Sequence, residues 1–160
     1  MVQRLNLDLD QYFPYLINRV GVALVTSFGA DALGSDHLSI AMWRALAALS
    51  RNGGQRLVDL STMTSIDVST LSRMVTRLTR LGLVTRARSR KSDREIVVKL
   101  TPKGRTVLTR LIPIALRFEQ AAVAQISPAD LAVVKRALHQ MHKNMAGLPT
   151  LFAPRRAQSR

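Results

Sequence analysis

The chain has 160 residues, of which 47% are hydrophobic and 4% aromatic, and a formal net charge of +14 at pH 7. This length suits one compact domain. A composition with many aliphatic and few aromatic side chains is typical of a mainly helical protein. Cysteine is absent, which excludes disulfides, thiolate metal sites and thiol redox sensing. The longest apolar run, Val20 to Val25, is far shorter than the roughly 20 residues of a membrane span. With no signal peptide, we expect a cytoplasmic protein without a membrane partner.

The positive charge is concentrated in the middle of the sequence. Between Arg51 and Arg110, fourteen lysines and arginines stand against four acidic residues. An excess of this kind attracts polyanions, either nucleic acid or an anionic membrane surface. A generally solvated surface would spread its charge more evenly, so the concentration favours a nucleic-acid interface.

Hydrophobic spacing predicts a largely helical first half. A long helix is expected over residues 10–32, and a second over 39–50, which Asn52-Gly53-Gly54 ends. A very short strand at 55–57 and a short helix at 58–63 follow.

The next helix has the clearest boundaries. Asp67 is a good N-cap, the apolar residues after it recur at three- and four-residue steps, and Gly82 ends the helix. The pattern then becomes that of a β-hairpin, with strands at 83–85 and 96–98 around a basic polar tip at 86–94.

Two further helices are predicted near the C-terminus. Thr101-Pro102 is an N-cap followed by proline at the first helical position, and Pro113 is expected to kink the helix that starts there. Ser127-Pro128 starts the last helix in the same way, and the tail at 149–160 is expected to be disordered. The apolar stripe of the last helix consists of Leu131, Val134, Leu138, Met141 and Met145.

A short helix, a tight connection, a second helix and a basic hairpin together predict a winged helix-turn-helix within residues 51–101. The second helix of such a unit must bury one face and present short polar and basic side chains to the major groove. The helix after Asp67 meets both requirements, and we expect Arg73 and Arg77 to read bases. The side chains of this helix predicted to contact DNA are Ser69, Thr70, Ser72, Arg73, Thr76 and Arg77.

The hairpin supplies the second predicted DNA contact. A short basic tip after a recognition helix can reach the adjacent minor groove or its phosphates. The wing residues predicted to make these contacts are Arg86, Arg88, Arg90, Lys91 and Arg94.

These residues resemble the MarR family of transcriptional regulators, and the resemblance covers about residues 11–145. One position departs from the pattern, because Ser92 stands where the family's wing often has aspartate, with Asp93 next to Arg94 instead. The departure concerns the geometry of the wing and leaves the expected fold and DNA binding unchanged. The motifs that carry the resemblance are Leu71-Ser72-Arg73-Met74-Val75, Gly82-Leu83-Val84-Thr85-Arg86, Arg94 and Leu100-Thr101-Pro102-Lys103-Gly104.

The resemblance implies a homodimer built from helices in residues 10–50 and 102–146, each subunit reading half of a palindromic site on double-stranded DNA. The apolar faces of these helices independently support pairing, since they are broader than one small winged domain can cover. A two-fold axis would place the two recognition helices about one DNA turn, roughly 34 Å, apart.

The resemblance also implies a small-molecule effector. Members of the family commonly bind aromatic or anionic molecules in a cleft between the dimerisation helices and the DNA-binding lobe, which releases the operator. We therefore expect a ligand-responsive regulator, and a repressor in particular, because occluding a promoter needs no additional contact surface. An arginine beside aromatic side chains suits an aromatic carboxylate or an acyl thioester, although the aromatic residues suit the core equally well. The candidate lining residues are Tyr15, Arg19, Phe28, His37, Trp43 and Arg44.

Rival functions have less support in the sequence. There is no glycine-rich phosphate loop, nucleophile elbow or zinc-binding His-Glu helix, so we expect neither catalysis nor a cofactor. His139 and His142 lie one helical turn apart, and we interpret them as exposed histidines rather than metal ligands. A basic architectural or RNA-binding protein without a ligand remains the alternative, since phosphate contacts supply most non-specific affinity. The sequence argues against this alternative, because a protein that binds nucleic acid through charge alone needs neither a separate recognition helix nor the terminal helices.

Overall fold

The computed structural model describes residues 6–88 and 96–146, apart from the side chain of Ser35. Within these residues the chain is mainly helical with a small antiparallel sheet, which confirms the predicted fold class. The chain divides into two compact units, Met1–Ala122 and Val123–Arg160. The helices are α1 (Phe13–Phe28), α2 (Ile40–Asn52), α3 (Leu57–Thr64), α4 (Val68–Arg80), α5 (Pro102–Ala122) and α6 (Pro128–Ala146), and the strands are β1 (Gln55–Arg56), β2 (Val84–Arg88) and β3 (Ile96–Leu100).

Helix α1 is shorter than the predicted helix over 10–32 at both ends. The Asp8 carboxylate accepts a hydrogen bond from the backbone N–H of Asp10 at 3.0 Å, which favours a turn there instead of a helix. After Phe28 the helix widens into a π-helical turn, Gly29–Leu33, followed by a 3₁₀ turn, Gly34–Asp36. The segment ends at His37, whose φ of 53° lies in the left-handed region.

The predicted helix cap at Asp67 is confirmed, and Ser39 caps α2 in the same way. The Ser39 hydroxyl accepts from the backbone N–H of Met42 at 3.2 Å, and the Asp67 carboxylate accepts from that of Thr70 at 2.8 Å. Each side chain satisfies one of the backbone donors that a helix start leaves unpaired. Helices α2 and α4 therefore begin where the sequence predicts.

The sheet has the strand order β1-β3-β2, with both pairings antiparallel. In the wing, Val84 pairs with Leu100 and Arg88 with Ile96. Strand β2 thus extends beyond the predicted 83–85, and the assignment of Arg86 and Arg88 to the polar tip was wrong. The remaining predicted wing residues Arg90, Lys91 and Arg94, and the atypical Ser92, lie outside the described residues.

A single apolar core forms within the first unit. Leu46, Leu60, Leu71, Leu78 and Leu111 are each 0% exposed, so α2, α3, α4 and α5 all contribute to it. Because the wing strands also bury side chains in this core, the helix-turn-helix and the sheet pack as one lobe.

The C-terminal helices start as predicted. Pro102 opens α5, and Pro113 lies inside this helix without ending it. The hydroxyl of Ser127 accepts from the backbone N–H of Asp130 at 3.1 Å, which confirms the predicted cap of α6. None of the nineteen residues of α6, all of them described, is buried. The predicted disordered tail lies outside the described residues.

The segment Phe13–Leu33 is long and apolar enough to cross a membrane by length and composition. The mean hydropathy of its most apolar window is 1.3, and 17% of that window is buried. The packed helices of soluble proteins pass the same test, so this property is weak evidence for a membrane span. It does establish that α1 presents a large apolar surface outside the core.

Candidate DNA-binding site

Helix α4 has two sharply different faces. Leu71, Val75 and Leu78 are 0% exposed and anchor the helix in the core, at the three- and four-residue spacing of one helical face. Arg73 and Arg80 lie exposed on the opposite face. The burial of one face fixes the orientation of the other towards solvent, as a recognition helix requires.

The start of α4 is organised around the Asp67 carboxylate. Its Oδ1 accepts hydrogen bonds from the Ser69 hydroxyl at 2.6 Å and from the backbone N–H of Thr70 at 2.8 Å. The pKa of Asp67 is held well below its usual range, first by the hydrogen bond from the Ser69 hydroxyl. The backbone N–H and the hydroxyl of Thr70 and the positive charge of Arg73 lower this pKa further. The predicted DNA contact Ser69 therefore has its hydroxyl engaged in the cap in the free protein.

Arg73 is the best placed of the predicted base readers. Its side chain is exposed, and its Nη2 lies 3.3 Å from the hydroxyl oxygen of Thr70, one turn earlier on the helix. This contact holds the guanidinium over the exposed surface of α4 while leaving its other donors directed outward. Such an arrangement can bind a guanine edge through two parallel hydrogen bonds.

Arg77, the other predicted base reader, points elsewhere. Its Nη2 donates to the backbone carbonyl of His37 at 3.4 Å, so the guanidinium lies beside the turn that precedes α2. Arg77 and Arg73 lie one turn apart on α4, but their guanidinium groups contact different partners.

Arg86 and Thr76, both predicted DNA contacts, contact each other. Nη2 of Arg86 donates to the Thr76 hydroxyl at 2.9 Å and to the backbone carbonyl of Ser72 at 3.1 Å. The Thr76 hydroxyl in turn donates to the Ser72 carbonyl at 3.0 Å. The three residues connect the wing strand β2 to the middle of α4.

Other basic residues counted in the central charge are paired with acids. Arg56 binds the Asp59 carboxylate through two hydrogen bonds of 2.7 and 2.9 Å, which lowers the pKa of Asp59. Arg110 of α5 pairs with Asp36 in the turn before α2. Arg88 is exposed at the end of β2.

The first turn of α5 is tied to the end of α4, a connection that sequence reasoning missed. The Thr101 hydroxyl donates to the Gly82 carbonyl at 2.7 Å and accepts from the backbone N–H of Gly104 at 3.0 Å. Lys103 Nζ donates to the Leu81 carbonyl at 3.0 Å. The sequence predicts Thr101 as a helix cap. It does not reveal the hydrogen bond from Thr101 to the Gly82 carbonyl, because that bond joins residues 19 positions apart.

Two of the six predicted ligand residues lie together. The rings of Phe28 and Trp43 are 5.3 Å apart, and Phe118 of α5 lies 5.7 Å from Phe28, so these side chains form an aromatic cluster. Arg19 is exposed and lies 3.9 Å from the Asp10 carboxylate, while Tyr15 is half-buried and Arg44 exposed.

Two cavities of the first unit bear on the predicted ligand site. A groove of about 440 Å³ lies between α1 and α5, and none of the six predicted residues, all within the described chain, lines it. A second cavity of about 210 Å³ is lined by His37 together with Asp36 and Lys103. Of the six predicted residues, His37 therefore lines the second of these two cavities, and the ligand site stays a prediction. The groove is lined by Val20, Ala23, Leu24, Ser27, Phe118, Ala121 and Ala122.

Metal-binding side chains do not cluster in the described part of the chain, where no group of three or more histidines and acids could hold an ion. His139 and His142 are both exposed on α6.

A buried helix-turn-helix, a basic exposed face on its second helix and an antiparallel wing define a winged helix-turn-helix protein. The MarR family model matches residues 38–95. A crystal structure of a MarR family regulator from Silicibacter pomeroyi is 32% identical, covers 86% of this chain and 92% of its own, and superposes with a TM-score of 0.76. The chain belongs to the MarR family of transcriptional regulators.

Two further relatives carry names that describe a function. The chain is 26% identical over 111 residues to the HTH-type transcriptional repressor IacR of Pseudomonas putida, a match spanning 69% of this chain and 66% of that repressor. It is 25% identical to BpsR of Bordetella bronchiseptica, whose DNA binding is regulated by 6-hydroxynicotinic acid. That structure covers 86% of this chain and 97% of its own, with a TM-score of 0.76.

Proposed function

We propose that this protein is a cytoplasmic, homodimeric repressor that binds a palindromic DNA site and is released by a small aromatic or anionic ligand. The observation that carries the proposal is the two-faced α4, with Leu71, Val75 and Leu78 fully buried and Arg73 exposed on the opposite face. We assign base reading to Arg73 and phosphate contact to Arg88 and the rest of the wing, and we infer no catalytic role.

The dimer is supported by apolar side chains that the described chain leaves exposed. In α1, Val20 and Val22 are 58% and 56% exposed, and in α6, Val133 and Met145 are 52% and 67% exposed. An isolated chain with such surfaces would aggregate, whereas a second copy would bury them. The proposed division is accordingly dimerisation through helices of 10–50 and 102–146, and DNA binding through 51–101.

The effector is supported by the aromatic cluster and by the chemistry of relatives. Trp43 is half-buried beside Phe28, and Arg44 is its exposed neighbour in sequence. The ligand of BpsR is both aromatic and anionic, the combination that arginine beside aromatic rings suits. We keep Tyr15, Arg19 and His37 as further candidate contacts, completed by residues of the second subunit.

The DNA proposal is tested by selecting duplexes from a random pool and measuring affinity for the selected and scrambled sequences. Arg73→Ala should weaken binding to the selected duplex by about 1–3 kcal/mol, roughly 5- to 150-fold, with little change on scrambled DNA. Arg136→Ala, which removes an exposed arginine from α6, is the matched control and should leave both affinities unchanged.

Two outcomes would contradict this assignment. Equal weakening by Arg73→Ala on both duplexes would show a phosphate contact instead of base reading. The second outcome is that selection enriches no sequence and affinity for every duplex falls equally as the salt concentration rises. The protein would then be a basic architectural protein without sequence preference, and the proposal would be wrong.

The ligand proposal can be tested with the fluorescence of Trp43, the chain's single tryptophan. An aromatic carboxylate such as 6-hydroxynicotinate should change this fluorescence and release the selected duplex over the same concentration range. An aliphatic carboxylate of similar charge is the control, and an equal response to both would argue against an aromatic pocket.

A further inference from the structure

Arg86 lies in the middle of β2, yet its guanidinium ends on α4. It donates from one nitrogen, Nη2, to both the Ser72 carbonyl and the Thr76 hydroxyl, at 3.1 and 2.9 Å. The acceptors lie one helical turn apart and are separated from Arg86 by 14 and 10 residues in sequence. We call this arrangement of Arg86, Ser72 and Thr76 the wing brace.

The three groups of the wing brace satisfy one another. The Thr76 hydroxyl donates its proton to the Ser72 carbonyl at 3.0 Å, which leaves its lone pairs to accept from Arg86. Both bonds from the guanidinium have a charged donor, the stronger class of hydrogen bond, and ordinary lengths. Arg86 thus has defined partners within the protein, unlike a side chain held ready for a phosphate.

The opposite side of β2 is fixed as well. Arg86 pairs with Val98 of β3, and the Val98 side chain is 1% exposed in the core. The strand is therefore held by the sheet and by α4 together. The wing brace therefore fixes the position of β2 relative to the recognition helix.

We propose that Arg86 is a positioning residue for sequence discrimination and not, as its charge suggested, a contact to DNA. This inference rests on the proposed function. When the helix and the wing are rigidly connected, both can contact DNA at once only if the duplex fits both elements. Without it, each element can adjust to an incorrect duplex separately, so discrimination falls while charge attraction remains.

The test compares Arg86→Lys with Arg136→Lys, which makes the same exchange at an exposed arginine of α6. Lysine keeps the positive charge but not the planar guanidinium, so the matched pair separates geometry from charge. Arg86→Lys should lower the ratio of selected to scrambled affinity at least about 10-fold, with scrambled affinity and its salt dependence unchanged. Arg136→Lys should leave the ratio unchanged, and thermal unfolding should show that both variants are folded.

The proposal would be overturned if Arg86→Lys left the ratio unchanged. It would equally be overturned if this variant weakened both duplexes to the same degree, since that is the behaviour of a phosphate contact.

A measurement without DNA separates this proposal from the proposed function. Thr76→Val removes the hydroxyl with little change of shape, and its Tm is compared with that of Arg86→Lys and of the double variant. If the wing brace exists, the decrease in Tm of the double variant should be clearly smaller than the sum of the decreases in the two single variants. Additive losses would overturn the wing brace even if selection succeeds, and coupled losses would support it even if no duplex is selected.

Discussion

Helices α4 and α1 are both amphipathic, and their apolar faces have opposite surroundings. All three anchoring residues of α4, Leu71, Val75 and Leu78, are 0% exposed within the chain. Of the sixteen residues of α1, all described, Phe28 alone is buried, and Val20 remains 58% exposed. The two helices thus differ in whether the chain itself supplies a packing partner for their apolar side chains.

Packing within one chain therefore stabilises the DNA-binding lobe, whereas packing between two chains would stabilise the proposed dimer. The recognition helix packs on α2, α3 and the sheet of its own chain, so its orientation is set before any partner arrives. In the proposed dimer a second copy covers the apolar face of α1, so the contribution of this face to stability should depend on protein concentration. Stability measurements that vary concentration can therefore assign each substitution to one region or the other.

The largest effect is expected from Leu78→Ala in α4. Removing a fully buried leucine side chain leaves a cavity and should lower the free energy of unfolding by about 3 kcal/mol. Urea unfolding at several protein concentrations measures this loss, which should not vary with concentration. Thr79→Ala, at the exposed neighbouring position, is the control; a loss from Leu78→Ala that shrank at high concentration would contradict the assignment to the lobe.

The next effect concerns Gly104, where α5 meets the wing. A Cβ at this buried position would overlap the Leu83 carbonyl oxygen and lie 3.2 Å from Cδ2 of Leu100. Because the closest atom belongs to backbone, Gly104→Ala should cost roughly 2 kcal/mol of stability. Gly34→Ala, where a Cβ would meet nothing within 4 Å, should change stability by less than about 1 kcal/mol. Equal effects of the two substitutions in thermal unfolding would rule out this close approach.

The counterpart in α1 is Val20→Glu. If a second copy covers Val20, the buried carboxylate should weaken self-association on the order of 100-fold while leaving the lobe folded. Sedimentation at micromolar concentrations should show a monomer with an unchanged circular dichroism spectrum. Asn18→Glu adds the same charge at a polar exposed position and should remain dimeric. A dimeric Val20→Glu protein would place the interface elsewhere.

Local features were predictable from the sequence, whereas contacts between distant segments were not. The caps at Asp67 and Ser127 act within three residues, and both were predicted correctly. The extension of β2 to Arg88 depends on its pairing with Ile96, and a run of basic residues resembles a turn when that partner is unknown.

The candidate site shows the same limit. Arg86 looks like a DNA contact by charge alone, and its actual partners lie on another element. The pairing of Arg110 with Asp36 spans 74 residues and has no signature in local spacing. Sequence patterns identified the recognition helix because burial and charge alternate along it, but they could not reveal which of its polar groups are already engaged.

The smallest expected effect is a pH dependence at the start of α4. The pKa of Asp67 is lowered in the folded protein, first by the Ser69 hydroxyl, so the ionised cap adds stability above the unfolded pKa. That contribution is lost as the pH falls through the lowered folded pKa. Asp67→Asn keeps an acceptor without the charge, so the Tm difference from the wild type should be constant at neutral pH and close in acid. Thermal unfolding at pH 7, 5 and 3 measures it, with Ser69→Ala expected to reduce the difference. A difference independent of pH would mean that the charge on Asp67 does not stabilise α4, and that the cap acts through its oxygen atom alone.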